Sequence, residues 1–328
     1  MKKPTRIFLL LTLCLILQKT PTHAYTMTDH KPEESADPQP RFLTTQAVAS
    51  NHPDPSYLLT LDRWRKDHAA ALTQPDGWLS LIALEWLKPG DTTVGSAPGS
   101  SLRLEHAPPH LATFRLTGNT VLLIQPTGGF PHDATLNGHP VLSVPVPLDA
   151  EFQSGTYLIV LIKRGDRLYL RVKDSAAPTR QAFRGLHWYS PDLQYRVTAR
   201  WVPSAMAGNL AVTNVLGQLS HESSPGMAEF TLYGQTIRLF PIMDGDSKNT
   251  LFFIFRDTTS NSRTYGAGRF LYTGLPSNGL GRTGTIVLDF NRAENPPCAY
   301  TPYATCPLPP QQNRLTLPIP AGEQRYHD

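Results

Sequence analysis

The stretch Tyr157-Leu-Ile-Val-Leu-Ile-Lys-Arg164-Gly165-Asp166-Arg167-Leu-Tyr-Leu-Arg-Val-Lys-Asp174 decides the fold class. Two apolar runs, 157–163 and 167–172, flank Arg164-Gly165-Asp166. That triplet invites an adhesion reading, but a glycine between two apolar runs is what a hairpin needs where the chain turns through positive φ, so the sequence predicts a turn. Working outward, short strands are predicted on both sides: 102–105, 113–116, 120–125, 134–136 and 141–144 upstream, with Asn137-Gly138 as a strong hairpin signal. Downstream they fall at 194–202, 210–215, 228–232, 236–239, 251–255, 268–272 and 285–290. Strands at this density, separated by turn residues and without a second helical period, indicate an all-β sandwich or barrel.

One helix precedes them. Asp54-Pro55 offers an N-cap and a first-turn proline, and Leu58, Leu61, Trp64 or Arg65, His68 and Leu72 recur at helical spacing over roughly 56–72. Trp64 and His68, on its apolar side, read as packing residues. Before the helix, Met1-Lys2-Lys3, the apolar run 7–17 and Thr22-His23-Ala24 follow the order of a secretory signal peptide, with cleavage after Ala24. The apolar run is too short for a membrane span, which needs about 20 residues, and Leu13 is too bulky for lipid processing at Cys14. The expected organisation is therefore a signal peptide (1–24), a proline-containing disordered leader (25–56), a helix (57–74), a small β-domain (75–149) and a larger β-domain (150–328). The expected location is periplasmic or extracellular, with no transmembrane segment after cleavage.

Charge narrows the partners. Of 30 Lys and Arg residues against 26 Asp and Glu, Lys2, Lys3, Arg6 and Lys19 lie before residue 25, which leaves 26 facing 26 beyond it. A chain of zero formal charge has no global attraction for phosphate backbones, so nucleic acid is not an expected partner. Oligomeric state cannot be read from the sequence.

Most motifs that resemble chemistry fail on context. Gly279-Leu-Gly281-Arg-Thr-Gly284 has the dinucleotide spacing but precedes a strand instead of following one into a helix. Asp244-Gly-Asp246-Ser-Lys248 begins like a calcium loop, but Lys248 occupies a ligand position. His106 and His110 flank Pro108-Pro109, so no helix can bring them to one face. The chain has no Gly-x-Ser-x-Gly, phosphate loop or His-Glu-x-x-His. It predicts no cofactor and no metal. Cys298 and Cys306 are expected to form a disulfide, the simplest state of an even pair in an exported protein.

Asp257-Thr258, Thr264-Tyr265, Gly268-Arg269-Phe270, Asp289-Phe-Asn-Arg-Ala293, Asn295-Pro-Pro-Cys298-Ala, Cys306-Pro-Leu-Pro-Pro310, Asn313-Arg-Leu315 and Ala321-Gly-Glu323 together resemble the bacterial and archaeal family catalogued as domain of unknown function 1684. Gly77-Trp-Leu-Ser-Leu81, Arg164-Gly-Asp-Arg167, Arg171-Val-Lys-Asp174 and Phe183-Arg-Gly185 extend the resemblance over nearly everything from residue 75 onward. Glu294 stands where the family pattern has an aromatic residue, and Tyr189-Ser190 replaces Phe-Pro. The resemblance implies no activity and transfers no catalytic residue.

The proline-rich segment 296–310 cannot join the interior of a sheet, so it must lie over the fold as a rigid loop whose backbone groups need other partners. Two readings stay open. In one, Asn291, Asn295, Asn313, Arg269, Arg292 and Arg314 satisfy that loop. In the other, Asp174, His187, Asp257, Asp289 and Glu323 converge with it on a polar pocket, Arg269 and the asparagines act as donors, and Tyr300 or Tyr303 supplies a stacking face. The second makes the protein a binder of a small polar ligand in the cell envelope. A hydrolase using paired carboxylates such as Asp289 and Asp257, or a purely structural envelope protein, are the alternatives, so whether the chain is an enzyme stays open. The pocket reading also expects Asp289 and Asn291 to lie beside Arg269.

Overall fold

The computed structural model describes residues 53–243 and 249–327. The expected signal peptide, residues 25–52 of the leader and the calcium-like segment at Asp244 lie outside the described residues. Helix Pro55–Leu72 begins where expected: the Asp54 carboxylate accepts the Ser56 N–H at 2.6 Å and Pro55 occupies the first turn. It buries Leu61 and Leu72 and ends before Pro75, which cannot continue it. Among the described residues no helix is long and apolar enough to cross a membrane.

The rest of the described chain is of the all-β class, as predicted, with one four-residue helix, Pro178–Gln181, and a few short 3-10 turns. One sheet runs in the order Leu81–Trp86, Arg167–Asp174, Tyr157–Arg164, Glu151–Ser154, Thr135–Leu136, His139–Pro140. A second runs Leu102–Arg103, Gly90–Gly95, Ala112–Thr117, Thr120–Ile124, Val144–Pro145. Phe114 and Leu123 from the second sheet meet Phe152, Leu161 and Leu170 from the first in a shared core. The hairpin around Arg164-Gly165-Asp166 forms as read, with Tyr157 opposite Asp174 and Arg164 opposite Arg167.

A third sheet, Gln235–Leu239, Leu219–Leu232, Arg196–Thr213, Gly284–Asp289, packs its inner face on a fourth, Ile242–Met243, Thr250–Phe255, Arg269–Gly274. Strand Thr250–Phe255 is apolar on both faces because both are covered. Leu251, Phe253 and Phe255 join Trp201, Leu239 and Leu288, while Phe252 and Ile254 join Leu81, Leu210 and Phe270. Each such fully buried large side chain contributes about 1.5–3 kcal/mol relative to exposure.

The structure differs from the sequence reading in three places. The segment near 141–144 pairs only through Val144–Pro145. The strands expected at 194–202 and 210–215 are one strand, Arg196–Thr213, whose register with Leu219–Leu232 shifts between Pro203 and Gly208. Strand pairing also crosses the boundary expected between 149 and 150, since Leu81–Trp86 pairs with Arg167–Asp174 and Thr135–Leu136 with Glu151–Ser154.

Candidate functional site

The expected convergence on Arg269 divides into a closed structural group and an open cleft. Arg269 and Asp257 have fully buried side chains and pair at 2.7 Å. Arg269 also donates to the carbonyls of Ala321 and Ile319. Asp257 caps the turn Thr258–Asn261, accepting from Thr259 N at 2.8 Å, Thr259 Oγ1 at 2.6 Å and Ile319 N at 3.2 Å. Both Asp257 oxygens are taken by these donors, so Asp257 offers nothing to a ligand. The placement of Asp289 and Asn291 beside Arg269 is therefore overturned, because Asp257 already occupies the guanidinium.

Several other candidates also serve backbone. Asn313 accepts from Phe240 N and donates to the carbonyls of Phe240 and Ile254, each at 2.9 Å. Asn291 brackets Asp192, accepting from its N–H at 3.1 Å and donating to its carbonyl at 2.9 Å. Asp174 accepts the Ala176 N–H at 2.8 Å and caps the end of its strand. Tyr303 is exposed, with its N–H on Thr301 Oγ1 at 3.3 Å.

The cysteines correct the expected disulfide, for both are free thiols. Cys306 is buried beside Leu210 and Phe270, and its Sγ accepts the Cys298 N–H at 3.1 Å. The mutual influence of the neighbouring thiols holds the Cys298 thiol below its usual range and, with burial, pushes Cys306 up.

The open site lies along the helix. Asp289 ends strand Gly284–Asp289 and caps the turn Phe290–Arg292, which fixes Arg292 and Glu294 a few residues on. Tyr57, in the first helical turn, donates to both Asp289 oxygens at 3.0 and 3.1 Å; burial and the Asp289 charge raise the phenol's pKa. Arg196 and Arg292 approach the same carboxylate only to 3.8 and 3.7 Å, and the buried Arg292 Nε has no hydrogen-bond partner. These residues, with Trp64 and Glu294, line a cleft of about 630 Å3. A second cleft, of about 440 Å3, is lined by His68, Trp78, Lys173, Glu294, Asn295 and Tyr300. Glu294 is common to both.

At that junction the imidazole of His68 sits between two carboxylates, with Nδ1 3.4 Å from Glu294 and Nε2 3.4 Å from Glu323. Trp64, one helical turn earlier, stacks on the ring at 5.6 Å, and Trp188 meets both edge-on. Glu323 is fully buried and saturated, accepting from Tyr300 OH at 2.6 Å, Asn295 N at 2.8 Å and Asn295 Nδ2 at 2.8 Å. Backbone bonds from Glu323 N to Ala293 O and between Glu294 and Phe270 register the two carboxylates. Burial works against charge on His68, but the hydrogen bond it donates to Glu323 and the charges of both carboxylates outweigh it and raise its pKa. Burial pushes Glu294 up to about 7, with His68 opposing and Glu323 adding to the rise. The arrangement can hold an ionic ligand and can give or take a proton near neutral pH. Among the described residues no three His, Cys, Asp or Glu side chains form a metal site.

Of the expected pocket residues, the structure thus brings Asp289, Asn295 and Glu323 to this region, sets Asn291 directly behind Asp289 with its Nδ2 3.3 Å from Oδ1, and leaves Asp174, Asp257, Arg269, Tyr303 and Asn313 outside it. His187 lines a different cleft. Sequence reading missed His68 and Trp64, which both pack and line clefts, and it gave Arg292 and Glu294 no place in the pocket. The available signal was Glu294 itself, a carboxylate at a position where the family pattern has an aromatic ring.

Residues 181–324 match the model of a family described as a protein of unknown function, DUF1684. The chain belongs to the DUF1684 family. The match takes in Arg196, Asp289, Arg292, Glu294 and Glu323 but not the helix that covers them. The chain is similar to an uncharacterised protein of Haloarcula marismortui solved by solution NMR, at 32% identity over 44% of this chain and 78% of that one, with a TM-score of 0.38. The FHA domain of FhaA, solved in complex with the intracellular domain of Rv3910, aligns at 17% identity over 27% of this chain and 97% of that one, with a TM-score of 0.20. No curated protein matches.

Proposed function

We propose that this DUF1684 chain is an exported binding protein for a small polar ligand, held in the cleft between the helix Pro55–Leu72 and strand Gly284–Asp289. The observation that carries the reading is the unused donor at the cleft: Arg292 Nε is buried without a hydrogen bond, and its approach to Asp289, whose oxygens already accept from Tyr57 and Asn291, stops at 3.7 Å. Buried polar groups are normally satisfied, so an unpaired guanidinium N–H beside an open concavity supports a ligand oxygen as its partner. Tyr57 and Trp64 supply apolar faces, and Glu294 supplies a second anchor.

Native mass spectrometry of the protein purified from the periplasm tests this directly. The expected spectrum shows a chain beginning at Tyr25 with a bound small molecule. Asp289→Asn and Arg292→Ala should lose the adduct while keeping the melting temperature within a few degrees. A wild-type spectrum without adduct overturns the binding reading, and an intact Met1 overturns export.

A second reading, acid–base catalysis on the bound molecule, is favoured by the Glu294–His68–Glu323 arrangement, which places a carboxyl titrating near neutrality against an imidazole. It moves the chemistry away from Asp257, whose carboxylate is sealed. If the recovered molecule changes on incubation with wild type but not with Glu294→Gln, the enzyme reading stands. Recovery of the same unchanged molecule from both removes it.

A further inference from the structure

The tail after Glu323 threads between two segments that each carry cations. Gln324 N–H donates to His187 O at 2.8 Å, and Arg325 N–H donates to Arg263 O at 3.0 Å. The Arg263 segment is firmly held, since it leaves the turn Thr258–Asn261 that Asp257 caps and returns three N–H groups, of Ser262, Arg263 and Thr264, to Thr259 O. His187, Ser262, Arg263, Gln324 and Arg325 line a cleft of about 580 Å3. A second cleft of about 310 Å3 shares His187 and adds Arg184, Tyr326 and His327. Neither lining contains an aspartate or glutamate.

The Arg325 N–H bond to Arg263 O joins the two backbone segments, and both side chains line the same cleft, so like charges enter it from adjoining positions. Some surface arginines meet a carboxylate, as Arg115 meets Asp91 at 2.5 Å and Arg238 meets Glu229 at 2.8 Å. Among the described residues, no side-chain hydrogen bond or ion pair engages Arg263 or Arg325. Two guanidinium groups lining one cleft that holds no carboxylate make it a place for an anion, and guanidinium matches phosphate oxygens bidentately. Ser262 and Gln324 add neutral donors at the same place. Next door, the Tyr326 ring stacks on Phe183 at 6.3 Å and meets Tyr300 edge-on at 5.0 Å, giving the second cleft a fixed apolar surface.

We infer that this groove is a second binding site, independent of the cleft under the helix, for a phosphate monoester: the phosphate sits between Arg263 and Arg325 and its organic part lies along Tyr326. The monoester chemistry is shared by a free metabolite and by a lipid headgroup, so the experiment has an arm for each. Phenyl phosphate is titrated into the purified protein by calorimetry at low and moderate salt, and vesicles containing phosphatidic acid are sedimented with it. Expected is saturable binding that weakens with salt and weakens about tenfold or more in each of Arg263→Ala and Arg325→Ala. Arg103→Ala removes an exposed arginine outside both clefts and should leave binding unchanged. Melting temperatures of all three variants should match wild type, because none of these side chains is buried. Binding of phenyl phosphate identifies a free monoester as the source, whereas sedimentation with vesicles in its absence identifies a headgroup. Failure to bind either, or an equal loss in Arg103→Ala, overturns the inference.

Discussion

Asp257 and Glu294 are both carboxylates in the interior, and their surroundings give them opposite roles. Asp257 is matched by Arg269 at zero exposure, so removing either partner leaves the other charge buried and unpaired. Asp257→Asn and Arg269→Gln should each destabilise the domain by about 3–5 kcal/mol, read from urea midpoints; losses under about 1 kcal/mol would show that the pair is not what holds the turn at Thr258. Glu294 is raised by burial from 4.5 to about 7, with the His68 imidazole opposing the rise and the Glu323 charge adding to it. Between those values the folded chain keeps a proton that the unfolded chain has released, so this group's contribution is present at acid pH and lost as pH rises through 7. His68 is also raised, so its contribution persists below 6.5 and is lost as pH rises past its folded value. Glu294→Gln should therefore abolish the fall in stability between about pH 4.5 and 7, up to about 3 kcal/mol, and shrink the later part due to His68, whose rise leans partly on the Glu294 charge. An unchanged pH profile in the variant would show that Glu294 titrates normally. Residue types alone did not separate these roles. Asp257, Asp289, Asn291 and Asn313 are equally polar in the sequence, and only the backbone they meet tells capping from lining.

The elements were more legible than the residues, because capping and spacing are local. Asp54-Pro55 and the spacing of Leu61, Trp64, His68 and Leu72 specify the helix without any tertiary information. What the spacing does not contain is the partner surface, so His68 read as a packing residue although its two nitrogens meet Glu294 and Glu323. The element that delivers Glu323 is the tail, and it turns at Gly322 with φ of +78°. A Cβ there would stand 2.5 Å from Ala293 O and 2.6 Å from Phe290 O, both backbone atoms that cannot swing away. Gly322→Ala should thus lift the tail, pull Glu323 from Tyr300 and Asn295, and cost about 2 kcal/mol or more in thermal unfolding. The same variant should lose the ligand adduct in native mass spectrometry. Full stability in Gly322→Ala would mean that the tail has freedom to move that the close carbonyls deny.

At the scale of the whole molecule, the all-β class followed from strand density, but the partition at residue 149 did not survive, because a sequence shows where strands are and not which strands they meet. Strand Leu81–Trp86 is separated from its partner Arg167–Asp174 by the entire second sheet, and Leu81 also packs against Leu210, Ile254 and Phe270 of the C-terminal half. Cutting at the expected boundary would strip Leu81–Trp86 of its ladder and expose one face of the shared core, since Phe152, Leu161 and Leu170 supply that face to Phe114 and Leu123. A fragment of residues 75–149 would keep the sheet centred on Ala112–Thr117 but lose the sheet it packs on, and a lone sheet with an open apolar face lacks the burial that offsets chain entropy. We therefore expect that fragment to show no cooperative thermal transition and poor amide dispersion by NMR, while residues 53–328 unfold in a single step. Cooperative folding of 75–149 alone would restore the boundary and make the pairing of Leu81–Trp86 with Arg167–Asp174 a docking contact between two independent domains.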